Sequence, residues 1–177
     1  MGPVSFTVIH FERSKGSHAH QLATPIVYEA GLMIYAEHGE TLLEWSGREL
    51  IADLPSNWDE IRFLDGMPGS HISLARRSGD DWYIDGMTAS PRTADLELNF
   101  LDEGRAYEML LFSDQTHDTM AREKRDFESA LITSGWLPAR VSLRAASSCV
   151  TTIRPVWAQK APLVPPATLS AVGQLVQ

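Results

Sequence analysis

The sequence has a single cysteine, Cys149, and no segment that could span a membrane. One cysteine cannot form an internal disulfide, and it does not identify a compartment. The most apolar window, residues 22–35, contains Pro25, Glu29 and Gly31 and is too short to cross a bilayer. The first residues lack a basic start followed by an apolar run, so we expect a soluble chain without a signal peptide.

Basic residues are also scarce. Fifteen lysines and arginines stand against 23 aspartates and glutamates, which gives a formal net charge of −8. Phosphate backbones and anionic membranes are bound by basic faces, so we expect neither a nucleic acid nor a membrane partner. Hydrophobic residues make up 44% of the chain, which is enough for a core. The length predicts one domain, or one domain with an appendage.

Motifs for common chemistries are missing as well. The sequence contains no G-x-S-x-G elbow, no glycine-rich phosphate loop and no dinucleotide-binding fingerprint. Cys149 has no histidine nearby in sequence and lies in an apolar segment, which favours a buried thiol over a nucleophile.

The stretch from Trp58 to Met87 is the centre of the sequence. It reads as three short strands joined by turns at 65–70 and 78–80, because apolar residues alternate with polar ones and glycines mark the turns. Further strands are predicted at 94–100, 106–112, 127–133, 141–145 and 149–153, with a polar loop at 114–125. About eight short strands at this spacing are typical of an antiparallel β-sandwich.

The residues before this stretch have helical spacing. Ser17 is a good N-cap for a helix over residues 18–37 that kinks at Pro25 and stops at Gly39. A short helix follows at 40–45, and Ser46 with Glu49 has the spacing of a capping box for a third helix. We therefore predict a mainly β protein, with a helical segment at 1–56, a β-sandwich at 57–155 and a proline-containing tail at 156–177.

Two groups of residues are candidates for ligand binding. His18 and His20 could hold a metal ion, although residues two apart on a helix point about 200° apart, so a structural role is the alternative. Trp58, Trp82 and Tyr83 could form an exposed platform that stacks on sugar rings, although aromatic residues in strands more often belong to the core.

The carboxylates give a weaker signal. Glu29, Glu37 and Glu40 could serve acid–base chemistry, but helical glutamates are more often solvated. Asp80 lies in a predicted hairpin turn, where aspartate is expected to bond its own backbone. Asp59 follows a tryptophan, and a bound cation there has no further support in the sequence.

The block DLPSNWDEIRFLDGMPGSHISLARRSGDDWYIDGMTASPR resembles the C-terminal region of glycoside hydrolase family 97, the α-glucosidase and α-galactosidase family. Its most specific parts are WDE followed by RFLDG, and ARRSGDDWYIDGMT. Upstream, MGPVSFT and AHQLATPIVYEAGL look like the end of the family's barrel, although Val4-Ser5 replaces the expected Met-Asp. The resemblance covers about residues 1–155.

The resemblance implies the last barrel unit followed by an accessory β-sandwich. The family's calcium ligands and catalytic carboxylates lie upstream of this region, so no residue here is assigned a catalytic role and no cofactor is expected. Family members are usually exported or periplasmic. A complete barrel needs about 250 residues, so the helix at 18–37 has lost neighbours. It should repack on the sandwich or pair with another copy, and we expect a homo-oligomer formed through this helix.

Three functions remain open at this point. The first is a truncated relative of an α-glycosidase, without activity of its own. The second is a stand-alone carbohydrate-binding module for α-linked sugars. The third is a new hydrolytic or metal-dependent activity, for which His18, His20, Asp59, Asp80 and Cys149 are the candidates.

Overall fold

The computed structural model describes residues 5–28, 30, 32–128, 140–145 and 148–156. The elements are β1 (Ser5–Val8), α1 (His18–Val27), β2 (Leu32–Tyr35), α2 (Gly39–Glu44), α3 (Arg48–Asp53), β3 (Glu60–Met67), β4 (His71–Ser78), β5 (Asp81–Thr88), β6 (Arg92–Glu97), β7 (Ala106–Thr116), β8 (Thr119–Glu128), β9 (Arg140–Ala145) and β10 (Ser148–Pro155). The predicted mainly β fold is confirmed. No helix among the described residues is long and apolar enough to cross a membrane.

The main sheet has six strands in the order β3-β4-β5-β10-β7-β8, and each neighbouring pair is antiparallel. Strands β3, β4 and β5 follow one another directly, as the sequence predicted. Gly69 and Gly79 lie in the two turns with positive φ values of 76° and 60°, a conformation that residues with a side chain rarely adopt. The smaller antiparallel sheet consists of β6 and β9.

Each face of the main sheet supports a separate core. On one face, here called the helix face, Tyr83, Met87, Phe112 and Val150 pack against α1 and β1. On the other, here called the sandwich face, the packing involves β6 and the turn that follows it. The buried side chains on this second face are Ala75, Trp82, Ile84, Leu96, Leu98, Leu101, Tyr107, Met109, Leu111, Cys149 and Ile153.

The predicted long helix over residues 18–37 is wrong in its second half. Helix α1 ends at Val27, and residues 32–35 form β2, which pairs in parallel with β1. The apolar run of β2 is compatible with a helix or a strand. It forms a strand because it can pair with the backbone of β1. The result is a β-α-β unit, the repeating unit of a (β/α)8 barrel.

Pro25 does not break α1. A proline has no N–H to donate to the carbonyl four residues earlier, which here belongs to Gln21. The hydroxyl of Thr24 donates to that carbonyl at 2.7 Å and so replaces the missing bond.

Two further predictions are corrected. Residues 114–125 are not a loop, because β7 and β8 continue through them as a hairpin. Strand β8 is an edge strand and carries many charged side chains that face solvent. It therefore lacks the alternation of apolar and polar residues that predicts a strand. The capping box also fails: Gly47 is the N-cap of α3 without a side-chain hydrogen bond, and Glu49 pairs with Arg122 at 2.8 Å.

Side chains from the main sheet hold α1 at both ends. At its N-terminus, the carboxylate of Asp114 accepts from the Ala19 amide at 3.3 Å, beside the Ser17 hydroxyl that accepts from His20. At its C-terminus, the Arg76 guanidinium donates to the Val27 carbonyl at 2.9 Å. An acid at the N-terminus and a base at the C-terminus both complement the helix dipole.

The end of α3 is fastened to the same sheet. Arg154 of β10 pairs with Asp53 at 2.7 Å and with Asp81 at 3.2 Å. The Tyr83 hydroxyl donates to the Asp53 carbonyl at 3.0 Å. Helices α1 and α3 are therefore packed on the main sheet, which was one of the two arrangements predicted for this segment.

Asp85 is the one fully buried carboxyl among the described residues. It lies on the helix face of β5, between Tyr83 and Met87, with no exposed surface. Burial raises its pKa well above the usual range, and the Gly86 amide and the Arg76 guanidinium only partly oppose this. The carboxyl is therefore protonated at pH values where an exposed aspartate is charged.

Replacing Leu22 with alanine tests the packing of α1 on the sheet. The Leu22 side chain is 0% exposed, so Leu22→Ala should lower the free energy of unfolding by about 3 kcal/mol through lost burial and a cavity. Denaturant unfolding followed by circular dichroism measures this. Leu43→Ala, at a side chain 67% exposed on α2, is the control and should cost less than about 0.5 kcal/mol. Equal losses would contradict the packing.

Replacing Asp85 with asparagine tests its protonation. In the native protein Asp85 keeps its proton above the pH at which the unfolded chain releases it, so unfolding releases a proton in that window. Stability should fall as pH rises above about 4, by up to about 1.4 kcal/mol per pH unit, and Asp85→Asn should remove this component.

Unfolding curves over a pH series give the slope. The exposed Asp80 in the β4–β5 turn supplies the control Asp80→Asn, which should keep the wild-type slope. If Asp85→Asn were instead destabilised at neutral pH with an unchanged slope, Asp85 would be a charged partner of Arg76.

Candidate functional site

Strand β3 carries an unusual concentration of exposed apolar side chains. Ile61 is 47% exposed, Phe63 66% and Met67 60%. Strand β3 is an edge strand of the main sheet, with β4 as its neighbour, while α1 packs over β5, β7, β8 and β10. The helix thus leaves this end of the helix face uncovered.

An apolar groove of about 640 Å³ adjoins these side chains. Its floor is formed by Ile72 and Met87, which are register partners on β4 and β5. Burial lowers the pKa of His20 at its rim, so that imidazole is neutral at neutral pH. The groove is also lined by Tyr28, Phe63, Gly66, Met67, Pro68, Gly69, Ser70, His71, Thr88 and Ala89. We refer to Ile61, Phe63, Met67 and this groove together as the β3 surface.

The absence of a side chain at Gly66 makes room for the Phe63 ring. A β-bulge interrupts the β3–β4 register between Phe63 and Asp65, and a Cβ added at Gly66 would lie 2.9 Å from the Phe63 ring. Glycine therefore lets the ring lie against the strand backbone at the edge of the groove.

The opposite edge of the sheet has a different character. On β8, Arg122, Lys124 and Arg125 pair with Glu49, Glu108 and Glu123 at 2.6–2.8 Å. Charged side chains on an edge strand oppose pairing with other chains. Among the described side chains of the two edge strands, the exposed large apolar ones are on β3.

The three predicted aromatic residues do not share a surface. Trp82 and Tyr83 are consecutive on β5, so they face opposite sides of the sheet, and they are 6% and 2% exposed. Trp58 is half-buried, with its ring 5.3 Å from the Tyr83 ring and 5.5 Å from the Arg76 guanidinium. The geometry excludes one exposed platform of all three, and sugar binding through Trp58 stays a prediction.

Trp58 does line a second cleft. This cleft has a volume of about 430 Å³ and lies between α1, β2 and the segment after α3. Three aromatic side chains, Tyr28, Tyr35 and Trp58, line it together with the polar Ser56 and Asn57. Aromatic rings beside amide and hydroxyl groups are a suitable arrangement for a sugar ring.

The two predicted metal ligands have separate surroundings. Nδ1 of His18 accepts from the Trp45 indole at 3.2 Å, and its ring lies 4.3 Å from that of Phe11. His20 instead lines the groove of the β3 surface. No group of three or more potential metal ligands occurs within the described ranges. These contacts support the structural alternative for His18.

The remaining candidates are also scattered. Asp59 accepts from the Gly79 amide at 2.7 Å, and Glu37 accepts from the Phe11 amide at 2.9 Å, so both organise loops. Glu29 lies outside the described residues. Cys149 is 3% exposed, and burial, with the charges of Asp85 and Asp114, raises its pKa to about 12. Its thiol is therefore protonated at neutral pH, as a buried cysteine should be.

The sequence predicts β3 as a strand but does not predict that its apolar side chains Ile61 and Phe63 are exposed. The order of the strands does indicate an edge. Strand β3 is the first of three consecutive strands, so one of its sides has no neighbour among them.

Curated relatives match a little over half of the chain. It is 36% identical over 103 residues to a retaining alpha-galactosidase from Bacteroides thetaiotaomicron, which covers 57% of this chain and 15% of the relative. It is 34% identical over 104 residues to a probable retaining alpha-galactosidase from Streptomyces bingchenggensis, covering 55% of this chain and 16% of the relative. The chain thus spans about one sixth of the length of these relatives.

Solved structures share the fold over more of the chain. A Glycoside Hydrolase Family 97 enzyme from Pseudoalteromonas sp. strain K8, in complex with acarbose, superposes with a TM-score of 0.73 at 23% identity, covering 88% of this chain and 27% of that one. A beta-arabinopyranosidase superposes with a TM-score of 0.59, covering 78% of this chain and 21% of the other. At these identities the likeness concerns the fold alone.

The family assignment follows from the sequence match over the sandwich. Residues 57–151, which run from the start of the three-strand stretch into β10, match the family described as glycosyl-hydrolase 97 C-terminal, oligomerisation. This is more than half of the chain, and it contains all of β3. The chain therefore belongs to the glycosyl-hydrolase 97 C-terminal family, whose domain is described as an oligomerisation domain.

Proposed function

We propose that this chain is an accessory β-sandwich region, related to the C-terminal part of family 97 glycosidases, that self-associates and does not hydrolyse glycosides by itself. The observation that carries the proposal is the exposed β3 surface within the segment that matches an oligomerisation family. An exposed apolar patch of this kind promotes aggregation of a monomer, whereas at an interface it is buried and stabilises the contact.

The state of the carboxylates supports the absence of glycosidase activity. A glycosidase needs an accessible general acid with a raised pKa and a second carboxylate close by. Asp85 has the raised pKa, but it is completely buried. Hydrogen bonds from Arg62 and Arg77 lower the pKa of Glu60.

Asp65 is no better suited to act as an acid. Its burial favours the protonated form, but the hydrogen bond and charge of Arg92 and the contact with His71 outweigh this and lower its pKa. The Arg92 guanidinium lies 2.9 Å from this carboxylate and His71 lies 3.2 Å away. A carboxylate that is held ionised in this way cannot protonate a leaving group at neutral pH.

A second candidate function is carbohydrate binding in the cleft lined by Trp58. The cleft brings Tyr28, Tyr35 and Trp58 together beside Asn57. The curated relatives are named as alpha-galactosidases, so α-linked sugars are the class to test. Such binding is compatible with self-association, because this cleft and the β3 surface share only Tyr28.

The accessory role predicts an oligomer without hydrolytic activity. The full chain should sediment as a reversible oligomer over a wide concentration range, because each copy exposes the β3 surface. It should release no p-nitrophenol from p-nitrophenyl α-glucoside or α-galactoside. Analytical ultracentrifugation and a colorimetric assay measure the two properties. Hydrolysis that disappears when a carboxylate is substituted would refute the accessory role, and a strictly monomeric chain would refute self-association.

The sugar-binding candidate predicts a specific loss in Trp58→Leu. Tryptophan fluorescence of the wild type should change and saturate at millimolar α-linked oligosaccharide, because a sugar ring would stack in the cleft beside Trp58. Trp58→Leu should abolish the change. Trp82→Phe, on the opposite face of the sheet, is the matched control and should retain it. An unchanged wild-type spectrum at these concentrations would rule this function out.

A further inference from the structure

We propose that the β3 surface is a two-fold interface with a second copy of this chain, in which Phe63 of each copy inserts into the groove of the other. The inference rests on the self-association proposed above, and it specifies the surface and the anchoring side chain.

The location of the β3 surface points to a second copy as the occupant. The exposed apolar side chains on α2 and β2, which are Leu32, Ile34 and Leu43, lie outside the segment that matches the oligomerisation family and do not line the groove. Ile61, Phe63, Met67, Ile72 and Met87 lie inside that segment. The surface that belongs to the matched segment is therefore the one to assign to contacts between copies.

The β3 surface is also complementary to itself. A two-fold interface uses the same patch on both copies, so each patch must contain both a projection and a recess that receives it. Phe63, 66% exposed, is the projection, and the adjoining groove of about 640 Å³ is the recess. The groove is apolar, and its size is that of a small-molecule site, which accommodates an aromatic side chain.

The backbone of β3 favours side-chain packing over the addition of a strand. The bulge between Phe63 and Asp65 interrupts the edge of β3, which opposes continuous backbone pairing with another strand. The lining of the groove adds the polar Ser70, His71 and Thr88 to its apolar side chains. An apolar patch combined with polar groups is the usual composition of a protein interface.

Introducing a charge at Phe63 tests the interface in the full chain. Phe63→Glu should weaken self-association by roughly 100-fold or more, because the two-fold loses two buried aromatic anchors and would bury two charges. Sedimentation equilibrium measures the dissociation constant. Phe63 is largely exposed, so the fold should remain, and circular dichroism with thermal unfolding checks this.

Leu43→Glu is the matched control, because Leu43 is 67% exposed and lies on α2, away from the β3 surface. It should self-associate like the wild type. Met67→Glu is an independent second variant at the groove, and it should dissociate the chain as Phe63→Glu does, whether or not the Phe63 variant folds normally.

The outcomes separate the two proposals. An oligomeric wild type that both Phe63→Glu and Met67→Glu dissociate supports the interface. An oligomeric wild type that neither of these folded variants affects, or that Leu43→Glu dissociates instead, overturns the interface and leaves self-association intact. A monomeric wild type overturns both.

Discussion

The contact between α1 and the main sheet is the interaction on which the other features of this structure depend. Leu22, Ala23 and Ile26 are completely buried against it. Asp114 and Arg76 reach from the sheet to the two ends of the helix, and their charges match the sign of the helix dipole at each end. A β-α-β unit that would otherwise lack a core thereby becomes part of the sandwich.

This contact also determines which part of the sheet stays open. Because α1 lies over the central strands and the β7–β8 hairpin, the β3 end of the same face has no helix above it. The groove beside Phe63 lies at the boundary of the area that the helix covers, since it is lined both by His20 and Tyr28 of the helical segment and by Ile72 and Met87 of the sheet. The position of α1 therefore determines both which strands it packs on and which part of the sheet stays exposed.

Local sequence patterns predicted much of the sandwich. Trp58 to Met87 forms the three expected strands, because alternation and glycine turns are local signals that the sheet preserves. The sequence predicts helix at residues 32–35, because it does not reveal their pairing with β1, which lies 27 positions earlier in the register. Strand β8 reads as a loop in the sequence because charged residues occupy most of its positions, although Met120 at its start is buried in the core. The site was harder to predict: exposure of Phe63 depends on where α1 ends, which the sequence of β3 does not encode.

The difference between the two edges of the main sheet has a consequence for stoichiometry. A sheet with two apolar edges could be joined at both, and such copies would grow into open chains. Here charged side chains on β8 oppose association at one edge, while apolar side chains are exposed on β3. If copies associate through β3 as proposed, each copy offers one such edge, and the assembly would end at a pair instead of growing into a fibre.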